Sequence, residues 1–127
     1  LHANISPSQH HWIGASAGKQ GLGFNYVIRR NEAQVELYID RGKDRDDENI
    51  SIFKQIENEK SSIEESFGES LEWESLEGRR ACRIKNLIKE GGYQYDETKW
   101  PEIQTLMVDA MLRLEKALKP NISTLNI

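Results

Sequence analysis

The sequence predicts an α+β fold: an antiparallel sheet of about five strands in the chain order β-β-β-α-β-β-α, with two amphipathic helices covering one face. Three observations carry that expectation. Apolar and polar residues alternate from Leu22 to Asp40, the period of strands with one buried side. The period becomes helical after Glu48, as far as Phe67, and again from Ile103 to Leu118. Between the two helical stretches, an acidic run and a basic run flank Glu77-Gly78, the composition of a β-hairpin.

Residues 1–9 mix polar residues with one proline and read as a linker or the tail of a preceding element, leaving 10–127 as a single domain. His10 to Ser16 forms a short strand around Trp12, closed by the Gly14 to Gly21 turn region. Leu22, Phe24, Tyr26 and Ile28 alternate with Gly23, Asn25, Val27 and Arg29. Asn31-Glu32 turns the chain, and Val35, Leu37 and Ile39 then alternate with Glu36, Tyr38 and Asp40. In the first helix Phe53, Ile56, Lys60, Ile63 and Phe67 share one stripe, with the Lys60 stem laid along it. Asp46, Asp47 and Glu48 supply caps and negative charge at its start, and Gly68 stops it.

A two-residue turn at Glu77-Gly78 fixes the hairpin register. Trp73 then faces Cys82 and Leu71 faces Ile84 on the buried side, while Glu72 faces Arg83 and Ser70 faces Lys85 on the other. In the last helix Ile103, Leu106, Met107, Ala110, Met111, Leu114, Ala117 and Leu118 form the apolar stripe. Asp96 or Thr98 caps it, Pro101 is tolerated in the first turn, and Pro120 ends it.

Composition limits the function classes. A net charge of -4 argues against a general nucleic-acid coat and leaves room for a local basic strip. Apolar stretches fall far short of the ~20 residues of a membrane span. Leu1 is no initiator methionine and no basic segment leads into an apolar run, so the chain reads as a piece of a longer protein without a signal peptide. Cys82 is the single cysteine, which excludes an internal disulfide and fits a reducing, cytoplasmic setting.

Several motifs together carry a resemblance. They are Trp12 before a Gly-rich turn, V-E-L-Y-I-D at Val35 to Asp40, and Asn49 with Phe53. K-x-x-I-E-x-x-F-G follows from Lys60 to Gly68, then L-E-W-E-x-L from Leu71 to Leu76, R-R-A-C-R-I from Arg79 to Ile84, and Trp100. From Trp12 to Leu118 the chain resembles an uncharacterised bacterial and archaeal domain family that sits C-terminal to restriction-endonuclease-like domains. The resemblance implies an upstream nuclease-like domain of the PD-(D/E)XK type in the full-length protein. It brings no catalytic residues to this domain. The family usually has a small residue such as serine where Cys82 stands here, so it assigns the thiol no role.

The catalytic motifs fail on context. Gly14-Ala15-Ser16-Ala17-Gly18 matches G-x-S-x-G, but a second strand follows it and His2, His10 and His11 all precede Ser16. The same stretch is no P-loop, because the spacing is one residue short and Gln20 stands where Ser or Thr binds magnesium. Asp44, Asp46, Asp47 and Glu48 lack the glycine of a calcium loop and read as helix-start residues. His10 and His11 are adjacent in a strand, point to opposite faces and cannot share a metal easily. Glu97-Thr98-Lys99 is the E-x-K match and lies at a helix start, with no strand to present it to a metal.

What remains is a basic strip of Arg79, Arg80, Arg83 and Lys85, extended by Lys89, and its neutral reading is a solvated strand paired with Glu72 and Glu74. Trp12, Trp73 and Trp100 are expected as core or half-buried anchors rather than base-stacking platforms. The function expected is therefore a non-catalytic accessory module of a nuclease-like protein, without cofactor or metal. It would contact nucleic acid through Arg79, Arg80, Arg83 and Lys85, or the neighbouring N-terminal domain. The alternative is a self-association module forming a homodimer without nucleic-acid contact.

Overall fold

Alternating apolar residues build the centre of this molecule. The computed structural model describes residues 11–28, 32–75, 81–88 and 100–125. Strands β1 (His11–Ser16), β2 (Leu22–Ile28) and β3 (Ala33–Ile39) come first. Helices α1 (Asp46–Glu57) and α2 (Lys60–Phe67) follow, then β4 (Glu72–Glu74), β5 (Cys82–Ile88) and α3 (Trp100–Ser123). The class is α+β. The strands form one antiparallel sheet in the spatial order β1-β2-β3-β5-β4, so β5 passes inside β4 to pair with β3.

Register decides which residues meet. Phe24 lies opposite Leu37, and Leu37 opposite Ile84; Tyr26 lies opposite Val35. These residues join Met107, Met111 and Leu114 of α3 in one core, so the helices all pack on this side of the sheet. Each fully buried aliphatic side chain contributes about 1.5–3 kcal/mol by leaving water.

Five details depart from the sequence reading. The first helical stretch is two helices, giving three among the described residues. The helix breaks at Asn58-Glu59, where the Glu59 N–H turns back to the Ile56 carbonyl at 2.9 Å. The apolar stripe continues across the break, which hides it in the sequence. The halves differ in what they cover: α1 packs on β3, β5 and α3, whereas α2 packs chiefly on α3. Lys60, just past the break, is exposed, with its ammonium 5.8 Å from the Trp73 ring centre.

Second, Asp46, Asp47 and Glu48 do occupy the first turn of α1, but the capping position is Arg45 and no side chain caps the helix. Their effect is charge at the positive end of the helix dipole. Gly68 does close α2, in the left-handed conformation at φ 102°. Third, the hairpin register is shifted by two residues: Glu72 faces Lys85, Trp73 faces Ile84 and Glu74 faces Arg83. A shift of two preserves the side each residue occupies, so Trp73 and Ile84 still share the core side. The assumed two-residue turn produced the error; Glu77-Gly78 lies outside the described residues.

Fourth, Pro120 lies inside α3, which continues to Ser123. The burial of Ile122 and Leu125 holds the last turn, and the Ser123 and Thr124 hydroxyls donate to the Pro120 carbonyl. Fifth, Leu106 falls off the buried stripe and is 46% exposed. Pro101 sits in the first turn of α3 as expected; the expected cap at Asp96 or Thr98 lies outside the described residues, as does Glu97-Thr98-Lys99.

The β1–β2 connection depends on Gly21. Its φ is 83°, and a Cβ added there would lie 2.6 Å from the Asp40 carbonyl oxygen. The Gly21 carbonyl already accepts the Asp40 N–H at 2.8 Å, so this approach cannot relax without losing the bond. Gly21→Ala is expected to cost roughly 2–5 kcal/mol in urea unfolding, combining left-handed strain with a backbone collision.

A carboxylate joins α2 to β4. Glu64 accepts the Leu71 N–H at 2.8 Å and the Trp73 indole N–H at 3.1 Å. The Leu71 bond, then the Trp73 bond and the nearby Lys60 charge, hold its carboxyl below the usual glutamate range. Trp73, half-buried rather than fully so, also meets Phe53 edge-on with ring centres 6.1 Å apart. A lowered folded-state pKa adds stability above the unfolded pKa, and that stability is lost as pH falls through the folded value. Stability measured from pH 7 down to pH ~3 should therefore fall less steeply in Glu64→Gln than in the parent.

Candidate contact surface on the helix-free side of the sheet

On the side of the sheet away from the helices a polar group lies next to half-buried Val27 and Leu87, which stand opposite Gln34, and its centre is nearly closed to solvent. Glu36 of β3 is 3% exposed and Gln34 is 1% exposed. Alternation placed both there, since Val35 and Leu37 face the helices. The Glu36 carboxylate accepts the Gln34 amide at 2.6 Å and the Asn25 amide of β2 at 3.2 Å.

Strand β5 brings the cations. Arg83 lies 3.8 Å from Glu36 and 3.6 Å from Glu74, and Lys85 lies 3.4 Å from Glu74. The guanidinium also sits over the Tyr38 ring, 5.7 Å from its centre. These ion pairs are long, and Arg83 Nε and Gln34 Oε1 are buried without a hydrogen-bond partner among the described residues. Glu72 completes the group on β4 and is exposed. Among the described residues of this group, three carboxylates thus stand against two cations.

The expected basic strip takes a different form here. Arg83 and Lys85 share the helix-free side, but their side chains are only 19% and 11% exposed and each faces a carboxylate. Arg79, Arg80 and Lys89 lie outside the described residues. Asn25, Gln34, Glu36 and Tyr38 did not stand out in the sequence. Their signal was the polar half of the alternation on β2 and β3, which reads as ordinary solvent-facing positions until β5 is placed beside β3.

Ser16, Cys82 and Asn49 have structural partners. The Ser16 hydroxyl accepts the Gly18 N–H at 3.1 Å and so belongs to the hairpin connection. Buried Cys82 directs its thiol to the Asn49 carbonyl at 3.8 Å, and the Asn49 side chain accepts the Arg41 N–H at 2.7 Å. A concavity of about 360 Å³ lies between Ala17–Lys19 and the end of α3 at Lys119, Ile122 and Ser123. No cluster of His, Cys, Asp and Glu that could hold a metal occurs among the described residues, and no helix among them is long and apolar enough to cross a membrane.

No curated protein and no solved structure matches the chain. A family model described as a domain of unknown function, DUF4268, matches residues 1–122, and the chain belongs to that family.

Proposed function

We propose that this chain is a non-catalytic accessory module of a nuclease-like protein, docking on the neighbouring domain of its own polypeptide through the helix-free side of the sheet. The observation that carries this reading is the array of Glu36, Arg83, Glu74 and Lys85. Sequestering such ions contributes little to stability and often less than apolar residues of the same volume would. A domain that keeps them has another use for them, and loosely paired ions amid amides and a tyrosine suit a protein interface.

Charge favours a protein surface over phosphate. Affinity for a nucleic-acid backbone comes from cations that displace condensed counterions. Arg83 and Lys85 already face Glu36 and Glu74, so an approaching phosphate would compete with carboxylates held in place. A nucleic-acid contact would fall chiefly to Arg79 and Arg80.

The test titrates the module with the N-terminal remainder of its full-length protein and, separately, with a short labelled DNA duplex. Saturable association with the protein, weakened by Glu72→Lys, and no DNA binding beyond ~10⁻⁴ M at low salt is the expected outcome. Salt-sensitive DNA binding that disappears on reversing Arg83 and Lys85, without association with the remainder, would overturn the reading.

A further inference from the structure

The two edges of the sheet differ. Strand β4 is three residues long and two of them are glutamates, which is how proteins guard an edge against pairing. Strand β1, at the opposite edge, is six residues long, H-W-I-G-A-S, with no acidic residue, lysine, arginine or proline. Among the described residues it pairs only with β2, through six consecutive positions from His11 opposite Ile28 to Ser16 opposite Gly23. Its outer row of backbone groups is long enough to template another strand.

We propose that β1 pairs with β1 of a second copy of this chain, antiparallel about a two-fold axis, joining the two sheets into one. Three edge pairings are available to two copies. Pairing β4 with β4 sets Glu72 and Glu74 against their own copies, and like charges across a strand pair are destabilising. Pairing β1 with β4 matches six residues with three and leaves an open edge at each end, a head-to-tail contact that propagates instead of closing. Only β1 with β1 matches strands of equal length, brings no like-charged carboxylates together and closes as a dimer. The joined sheet leaves the helix-free side of each copy uncovered, so the dimer and the docking reading stand or fall separately.

Sedimentation equilibrium on the chain, whose monomer mass is 14.6 kDa, tests this directly. The parent should sediment at twice the monomer mass at micromolar concentration. Ser16 is exposed and Gly14 lies at the same side of β1, opposite Asn25. Gly14→Lys and Ser16→Lys should each raise the dimer dissociation constant by about tenfold or more while leaving the circular dichroism unchanged, because a charged lysine on an edge strand disfavours pairing with another strand. Glu72→Lys, on the other edge, should leave the mass unchanged. A parent that remains monomeric at ~100 μM, a concentration that would populate even a weak dimer, would overturn the proposal. A dimer insensitive to both lysine variants, or one abolished by Glu72→Lys, would do the same.

Discussion

Ile84→Ala should be the most damaging single truncation, at about 3–5 kcal/mol in urea or thermal unfolding, the upper part of the range for a buried aliphatic residue. Ile84 is fully buried and lies between Trp73 of β4 and Leu37 of β3. Truncation would leave a void where β5 meets its partners on both sides. The surrounding strands are held in register by ladders on each flank, so collapse into the void is restricted. A loss below ~1.5 kcal/mol, the range of Ile→Val rather than Ile→Ala, would show that β5 is not the inner strand.

The second large effect separates stability from contact. Removing Glu36 alone leaves the Gln34 and Asn25 amides without their shared acceptor and Arg83 without one of its two carboxylates, and Glu36→Ala is expected to cost about 3–5 kcal/mol, as when one member of a buried pair is lost. The double replacement of Glu36 by Leu and Arg83 by Met removes the charge conflict. It should be less destabilising than Glu36→Ala, since apolar residues of similar volume commonly replace buried ion pairs without loss, with the remaining cost set by the Gln34 and Asn25 amides that lose their acceptor. The same variant should fail to dock on the N-terminal remainder. A double variant that is strongly destabilised would identify the array as a stabilising element of the fold. One that folds and docks normally would remove Glu36 and Arg83 from the contact.

Local chemistry made much of this fold legible in the sequence. The Leu22–Ile28 and Val35–Ile39 alternation located two strands and their buried sides, and Gly68 marked the left-handed end of α2. The features misread depend on non-local packing. An uninterrupted apolar stripe concealed the break at Asn58-Glu59, because α1 turns it toward the sheet as well as α3 while α2 turns it chiefly toward α3. Pro120 normally stops a helix, but the burial of Ile122 offset the lost hydrogen bond.

The proposed contact surface was half legible for the same reason. Arg83 and Lys85 stood out as basic residues in one strand. Their acidic neighbour Glu36 is more than forty residues away in sequence, and only the crossing of β5 to β3 brings them together. The spatial order of strands, rather than any motif, sets Arg83 and Lys85 of the expected strip against Glu36 and Glu74.

The most direct measurement is amide chemical-shift mapping of this module, labelled with ¹⁵N, against the unlabelled nuclease-like domain that the proposal places beside it in the same polypeptide. The account predicts that the perturbed amides cluster on β2, β3 and β5 around Asn25, Glu36, Tyr38, Arg83 and Lys85, with α3 unaffected on its outward side. Perturbations centred instead on exposed Leu106 and Leu112 of α3, with the sheet unchanged, would contradict it.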